Sequence, residues 1–154
     1  MQSPSTRICA VVTALVLAAA CAATALPTEA RAAPIEVTVD VRGVRDASGQ
    51  VLVAAHGDKA TFPSAWARAA ATVRASSAPG TLTVRLRLPG PGRYAFIALH
   101  DANDNGRMDK RLVGIPEEGF GTTDGQRGLR FPRFSPALQQ VDAPSTLTID
   151  LGYP

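Results

Sequence analysis

The chemistry in this chain concentrates in one run, His100-Asp101-Ala102-Asn103-Asp104-Asn105-Gly106-Arg107-Met108-Asp109, which follows directly on an apolar stretch. Side-chain oxygens at alternate positions of a tight loop converge on one point, and glycine at the sixth position permits the curl. Asp101, Asn103 and Asn105 take the first, third and fifth places of such a loop, the carbonyl of Arg107 the seventh and Asp109 the ninth. An all-oxygen donor set selects Ca²⁺ over zinc or copper, and a flexible loop disfavours Mg²⁺. The twelfth place, which a bidentate carboxylate fills in an EF-hand, holds Leu112, and no helical pattern precedes the loop. Further oxygens must therefore come from outside it; Glu117 is taken as the next ligand, with Glu118 and Asp124 the other near candidates. Across residues 101–112, Arg107, Lys110 and Arg111 offset three aspartates, so binding is expected to be weak, in the range that suits calcium-rich extracellular fluid. The competing reading is a polar turn in which the Asx side chains bond their own backbone and hold no metal.

Other reactive groups are sparse. His56 and His100 each end an apolar run, where a histidine can serve as nitrogen ligand or general base but is more commonly a hydrogen-bonded rim residue. No G-x-S-x-G, H-E-x-x-H or C-x-x-C occurs, and no catalytic residue is assigned. A carboxylate pair drawn from Asp101, Asp109, Glu117 and Glu118 would serve a small periplasmic hydrolase, the alternative function, although no spacing selects it. Arg130-Phe131-Pro132-Arg133-Phe134 interleaves cations with aromatics. In an exported protein such a run pins its loop or meets a glycan or envelope protein; the formal charge of +3, spread without a run of five like charges, argues against nucleic acid.

Export is read from the amino terminus. Arg7 supplies a positive start, residues 8–23 are apolar and alanine-rich, and small residues bound them, the layout of a signal peptide over residues 1–32 with cleavage after Ala32 favoured over Ala25. That stretch is too short and too weakly flanked to span a bilayer, so no transmembrane helix is expected in the mature protein. The expected destination is the periplasm or the medium; a lipid anchor at Cys21, through Ala18-Ala19-Ala20-Cys21, is the competing reading and would make the chain an outer-membrane lipoprotein. Cys9 and Cys21 both lie in the leader, which leaves residues 33–154 as a single domain without a disulfide. A bound cation is one candidate for tying its loops.

The elements that must position the loop read as strands. Residues 35–42 alternate apolar and polar without a break, and residues 50–55 run apolar; the two look like a hairpin with a longish loop. Trp66, Ala69, Ala70 and Val73 fall at helical spacing after Pro63, with Ser64 placed as N-cap, and predict one short helix or helical turn whose tryptophan covers a sheet. Strict alternation returns over residues 81–88, Pro89-Gly90-Pro91-Gly92 turns the chain, and residues 93–100 lead into the loop. Residues 114–136 carry no period, and residues 138–141 and 146–151 supply two last strands. The sum is an all-β, antiparallel β-sandwich with at most one short helix.

The block over residues 88–137, about a third of the chain, resembles a bacterial exported family known as domain of unknown function 2141 (DUF2141). Its shared features appear here as Pro89-Gly90-Pro91-Gly92-Arg93-Tyr94-Ala95, the His100 to Asp109 run, Gly114-Ile115-Pro116-Glu117-Glu118-Gly119-Phe120-Gly121, and Phe131-Pro132-Arg133-Phe134. Where members tend to read F-S-N after the last glycine, this chain has Thr122-Thr123-Asp124. The resemblance implies a secreted or periplasmic immunoglobulin-like or transthyretin-like sandwich and carries no established activity. The loop is also similar to calcium loops in surface-protein B-type repeats, which implies a structural cation.

Overall fold

Alternation sets the first strand. In β1 (Ile35–Val44), Ile35, Val37, Val39 and Val41 are buried and Glu36 and Arg42 exposed, until a bulge at Gly43, whose φ of 77° suits glycine, turns Val44 back inward. The structure, a computed structural model, describes residues 32–110, 116–128 and 130–154; the expected leader up to Arg31, its two cysteines and Leu112 lie outside them. After β1 come β2 (Gln50–His56), β3 (Ala71–Ser76), β4 (Gly80–Leu88), β5 (Gly92–Asp101), β6 (Gly119–Thr122), β7 (Leu138–Val141) and β8 (Ser145–Asp150). They form two sheets, one ordered β4-β1-β8 and the other β3-β2-β5-β6, with β7 pairing the first half of β5. The all-β sandwich expected from the alternation is therefore what forms, with one ladder of the other sense: β8 runs parallel to β1, setting Leu147 beside Val39. No helix among the described residues is long and apolar enough to cross a membrane.

Two local expectations give way to packing. The hairpin of residues 35–42 and 50–55 does not form, because β1 pairs β4 and β8 while β2 pairs β3 and β5. Consecutive strands that cross between sheets bury their apolar faces against each other, a larger gain than edge-to-edge pairing offers. The helix expected after Pro63 is reduced to a single 3₁₀ turn at Trp66–Arg68, capped by Ala65 without a side-chain bond, so Ser64 is not its N-cap. Val73 instead belongs to β3, where Ala71, Val73 and Ala75 pack on the core and Thr72, Arg74 and Ser76 are exposed. Period two, not 3.6, governs that stretch.

Two cores explain why β2 and β5 run apolar without alternation. Val51, Val53 and Ala55 of β2, with Phe96 and Ala98 of β5, pack between the sheets against the valines of β1. Their opposite faces, Leu52, Ala54, Ile97 and Leu99, are covered by Trp66, Met108 and Phe120. Strands covered on both sides lose the polar face that would have made them alternate. Trp66 sits in this outer core, as its spacing implied, and Met108 brings the polar loop with it onto the sheet.

Candidate functional site

The loop after β5 is rooted by a residue that is fully buried. Asp101 accepts the backbone N–H of Asn105 at 3.0 Å on one carboxylate oxygen, and that of Gly106 at 2.8 Å together with the Gln50 amide at 3.0 Å on the other. These bonds impose the curl, and the two residues that must adopt left-handed backbone to complete it are Asp104, at φ 58°, and Gly106, at φ 70°. Gly49 of the β1–β2 connection lies against the root: a Cβ there would meet the Asp101 carbonyl oxygen at 2.1 Å.

Above Asp101 the remaining loop positions close on one another. Asn103 and Asn105 each accept the backbone N–H two residues on, from Asn105 at 3.2 Å and Arg107 at 2.8 Å. Their amide nitrogens, oriented by those bonds, converge on a single oxygen of Asp109 at 2.8 and 2.6 Å. The four side chains at places one, three, five and nine thus meet in one network, while Arg107 is exposed. This is the Asx-turn arrangement. Among the described residues no three His, Cys, Asp or Glu side chains form a group able to hold a metal. The oxygens of Asn103 and Asn105 each accept one N–H and retain a second lone pair, so the donor set fits an oxygen-seeking cation once the two amides release Asp109.

The segment after the loop adds a carboxylate, and parity decides which. Pro116 and Glu118 are buried and Glu117 between them is exposed, with its backbone N–H on the Asp109 carbonyl at 2.9 Å. Glu118 accepts the N–H of Ala102 at 3.2 Å and of Asp109 at 3.3 Å, one on each oxygen, and so ties the first and last turns of the loop together. Its burial, and then the charges of Asp101 and Asp109, push its pKa up to about 7. Asp124 is elsewhere, bonded to Thr122 and Gln126 in the turn that follows β6. Of the two neighbouring glutamates that the sequence offers, Glu118 faces the loop and Glu117, favoured there as the next ligand, faces outward.

Both strand-end histidines are buried and hydrogen-bonded. His56 bonds Thr61 at 2.9 Å and touches Phe62 edge-on. His100 donates from Nε2 to the Ser48 carbonyl at 2.9 Å and accepts at Nδ1 from the Tyr153 hydroxyl at 2.8 Å. Burial raises the Tyr153 pKa, so this phenol stays protonated, and its oxygen accepts the Arg45 N–H at 2.9 Å. The site is thereby fastened to the carboxy-terminal segment. Phe120 exchanges backbone bonds with Gly152 at 3.1 and 2.9 Å. A Cβ at Gly121 would meet the Asp150 carbonyl at 2.1 Å and one at Gly119 the Tyr153 ring at 2.2 Å. The Gly-x-Gly spacing around Phe120 is the sequence trace of that close crossing.

Residues 39–148, more than half of the chain, match the family model described as "Uncharacterized protein conserved in bacteria (DUF2141)". No curated protein and no solved structure matches.

Proposed function

The chain belongs to the DUF2141 family, and from that premise we propose that it is an exported β-sandwich module of the cell envelope whose loop binds Ca²⁺ and thereby holds the following segment in place as a binding surface. The ligands are the side-chain oxygens of Asp101, Asn103, Asn105 and Asp109 and the Arg107 carbonyl, with one further carboxylate from the Glu117–Glu118 pair; the inward one, Glu118, is the better placed. One observation carries the reading: three carboxylates edge one small loop, with Asp101 rooting it, Asp109 taking both Asn amides and Glu118 bonding the N–H groups of Ala102 and Asp109. Burial first, and then the charges of Asp101 and Asp109, raise the pKa of Glu118. A cation in the loop offsets that mutual repulsion, and the two Asn amides converging on Asp109 mark where positive charge is favoured. An oxygen-only site with basic neighbours is expected to bind in the roughly 10⁻⁴–10⁻³ M range of extracellular calcium modules. Both oxygens of Glu118 already serve backbone N–H groups, which supports a structural rather than a hydrolytic role.

The test is thermal. About 2 mM Ca²⁺ should raise the melting temperature above that in chelator by a few degrees. Asp109→Asn should abolish the response while melting near the wild-type chelated value. Identical curves in calcium and chelator for the wild type would sink the proposal.

A further inference from the structure

Phe131 is 41 % exposed, the one large apolar side chain among the described residues left in solvent. It stands between two grooves that share it and Arg133. The first, of about 490 Å³, is walled mainly by Phe62, Pro63, Pro132, Phe134 and Pro136, with Lys59 also lining it. The second, of about 450 Å³, is lined by Gln126, Arg127 and Arg130 beside the shared pair. No aspartate or glutamate lines either groove. Arg127 pairs with Asp150 at 3.6 Å, whereas Lys59 and Arg130 have no ion pair among the described residues. Lys110 lies over the Phe131 ring at 4.3 Å and adds to the positive field.

Two sets of contacts hold part of the walls. The Gln126 side chain holds the backbone of Arg133 through both its atoms, accepting the N–H at 2.9 Å and donating to the carbonyl at 3.0 Å. Phe134 meets Phe62 edge-on with ring centres 5.7 Å apart. An apolar cavity of this size beside the Arg130 guanidinium and Lys59 ammonium, neither in an ion pair among the described residues, fits an apolar side chain flanked by carboxylates. A neutral sugar has fewer partners for its ring hydroxyls in the first groove, where Lys59, Arg133 and Ser135 stand against six phenylalanines and prolines.

We propose that these adjoining grooves are a docking site for an acidic peptide segment of another protein, which seats an aromatic side chain against Phe131, Phe62 and Phe134 and sets its carboxylates against Arg130, Arg133 and Lys59. The proposal deepens the reading of this segment as a binding surface and rests on that part of it, not on the cation.

Fluorescence anisotropy with a dye-labelled, end-blocked Asp-Asp-Phe-Asp-Asp peptide tests it. Binding is expected with a Kd on the order of 10–100 μM, weakened on the order of tenfold by Phe131→Ala and by the Arg130→Glu, Arg133→Glu pair, and weakened by salt. Peptides Asp-Asp-Ala-Asp-Asp and Lys-Lys-Phe-Lys-Lys should each bind on the order of tenfold more weakly. Equal binding of the Phe and Ala peptides, no effect of Phe131→Ala, or an oligouronate that binds as tightly as the peptide and ignores Phe131, would each overturn it. No binding at about 1 mM would do the same. Melting the same samples in calcium and in chelator reads the cation clamp separately, so either idea can fail alone.

Discussion

Asp101 and Glu118 hold the loop by opposite electrostatic routes. Asp101 is fully buried with three donors on its two oxygens, so its negative charge is matched by hydrogen bonds on the spot. Glu118 has two longer bonds and faces two like charges, and burial dominates its raised pKa of about 7. Between pH 4.5, its ordinary value, and about 7, folded Glu118 keeps a proton that the unfolded chain has released. Folding then binds more protons than unfolding, so this group makes stability fall as pH rises through that window. In chelator, Glu118→Gln should remove that contribution, so that stability rises more steeply with pH than in the wild type, and added Ca²⁺ should shift the wild-type profile in the same direction. A pH profile of stability that is the same in Glu118→Gln as in the wild type, followed by urea unfolding from pH 4.5 to 7.5, would remove Glu118 from the account.

At the scale of elements, β6 matters more than its four residues imply. It closes the open half of β5, places Phe120 in the outer core and touches the segment after β8. Because a side chain at Gly121 would press on the Asp150 carbonyl at 2.1 Å, Gly121→Ala must move one backbone away from the other. A loss of about 3 kcal/mol or more is expected in chemical denaturation, comparable to overpacking a core. Gly125→Ala is the contrasting variant: its φ of 83° strains alanine but nothing lies within 4 Å, so a loss of about 1 kcal/mol is expected. Equal losses for the two would show that backbone conformation, not the crossing, sets the requirement for glycine.

Over the whole molecule, pH acts through two buried groups of opposite sign. Desolvation lowers His56 from 6.5 to about 4, so the unfolded chain takes up a proton first as pH falls. His56 therefore contributes stability that is present above pH 6.5 and lost as pH drops towards about 4. Glu118 changes stability the other way across nearly the same range, and the two partly cancel. His56→Gln should leave a protein whose chelated stability falls monotonically from pH 4.5 to 7, the Glu118 contribution alone. A profile unchanged by that substitution would remove His56 from the account.

The sequence by itself determined what alternation and turn chemistry dictate locally: six of the eight strands to within a few residues, with β3 hidden under an alanine-rich spacing that reads as helical and β6 inside a stretch without a period. Six strands were legible because a half-buried or doubly buried strand writes its burial into its residues. The Asp101 to Asp109 loop was legible too, since its curl depends on residue types a few positions apart. Pairing was decided by the tertiary structure. Periodicity tells which side chains face a core, and nothing in it says which strand lies alongside, so β1 beside a parallel β8 and apart from β2 could not be read. The same reason separates Glu117 from Glu118: a strand-like segment sends neighbouring residues to opposite sides, and only the docking of Pro116 and β6 against the loop determines which one points in.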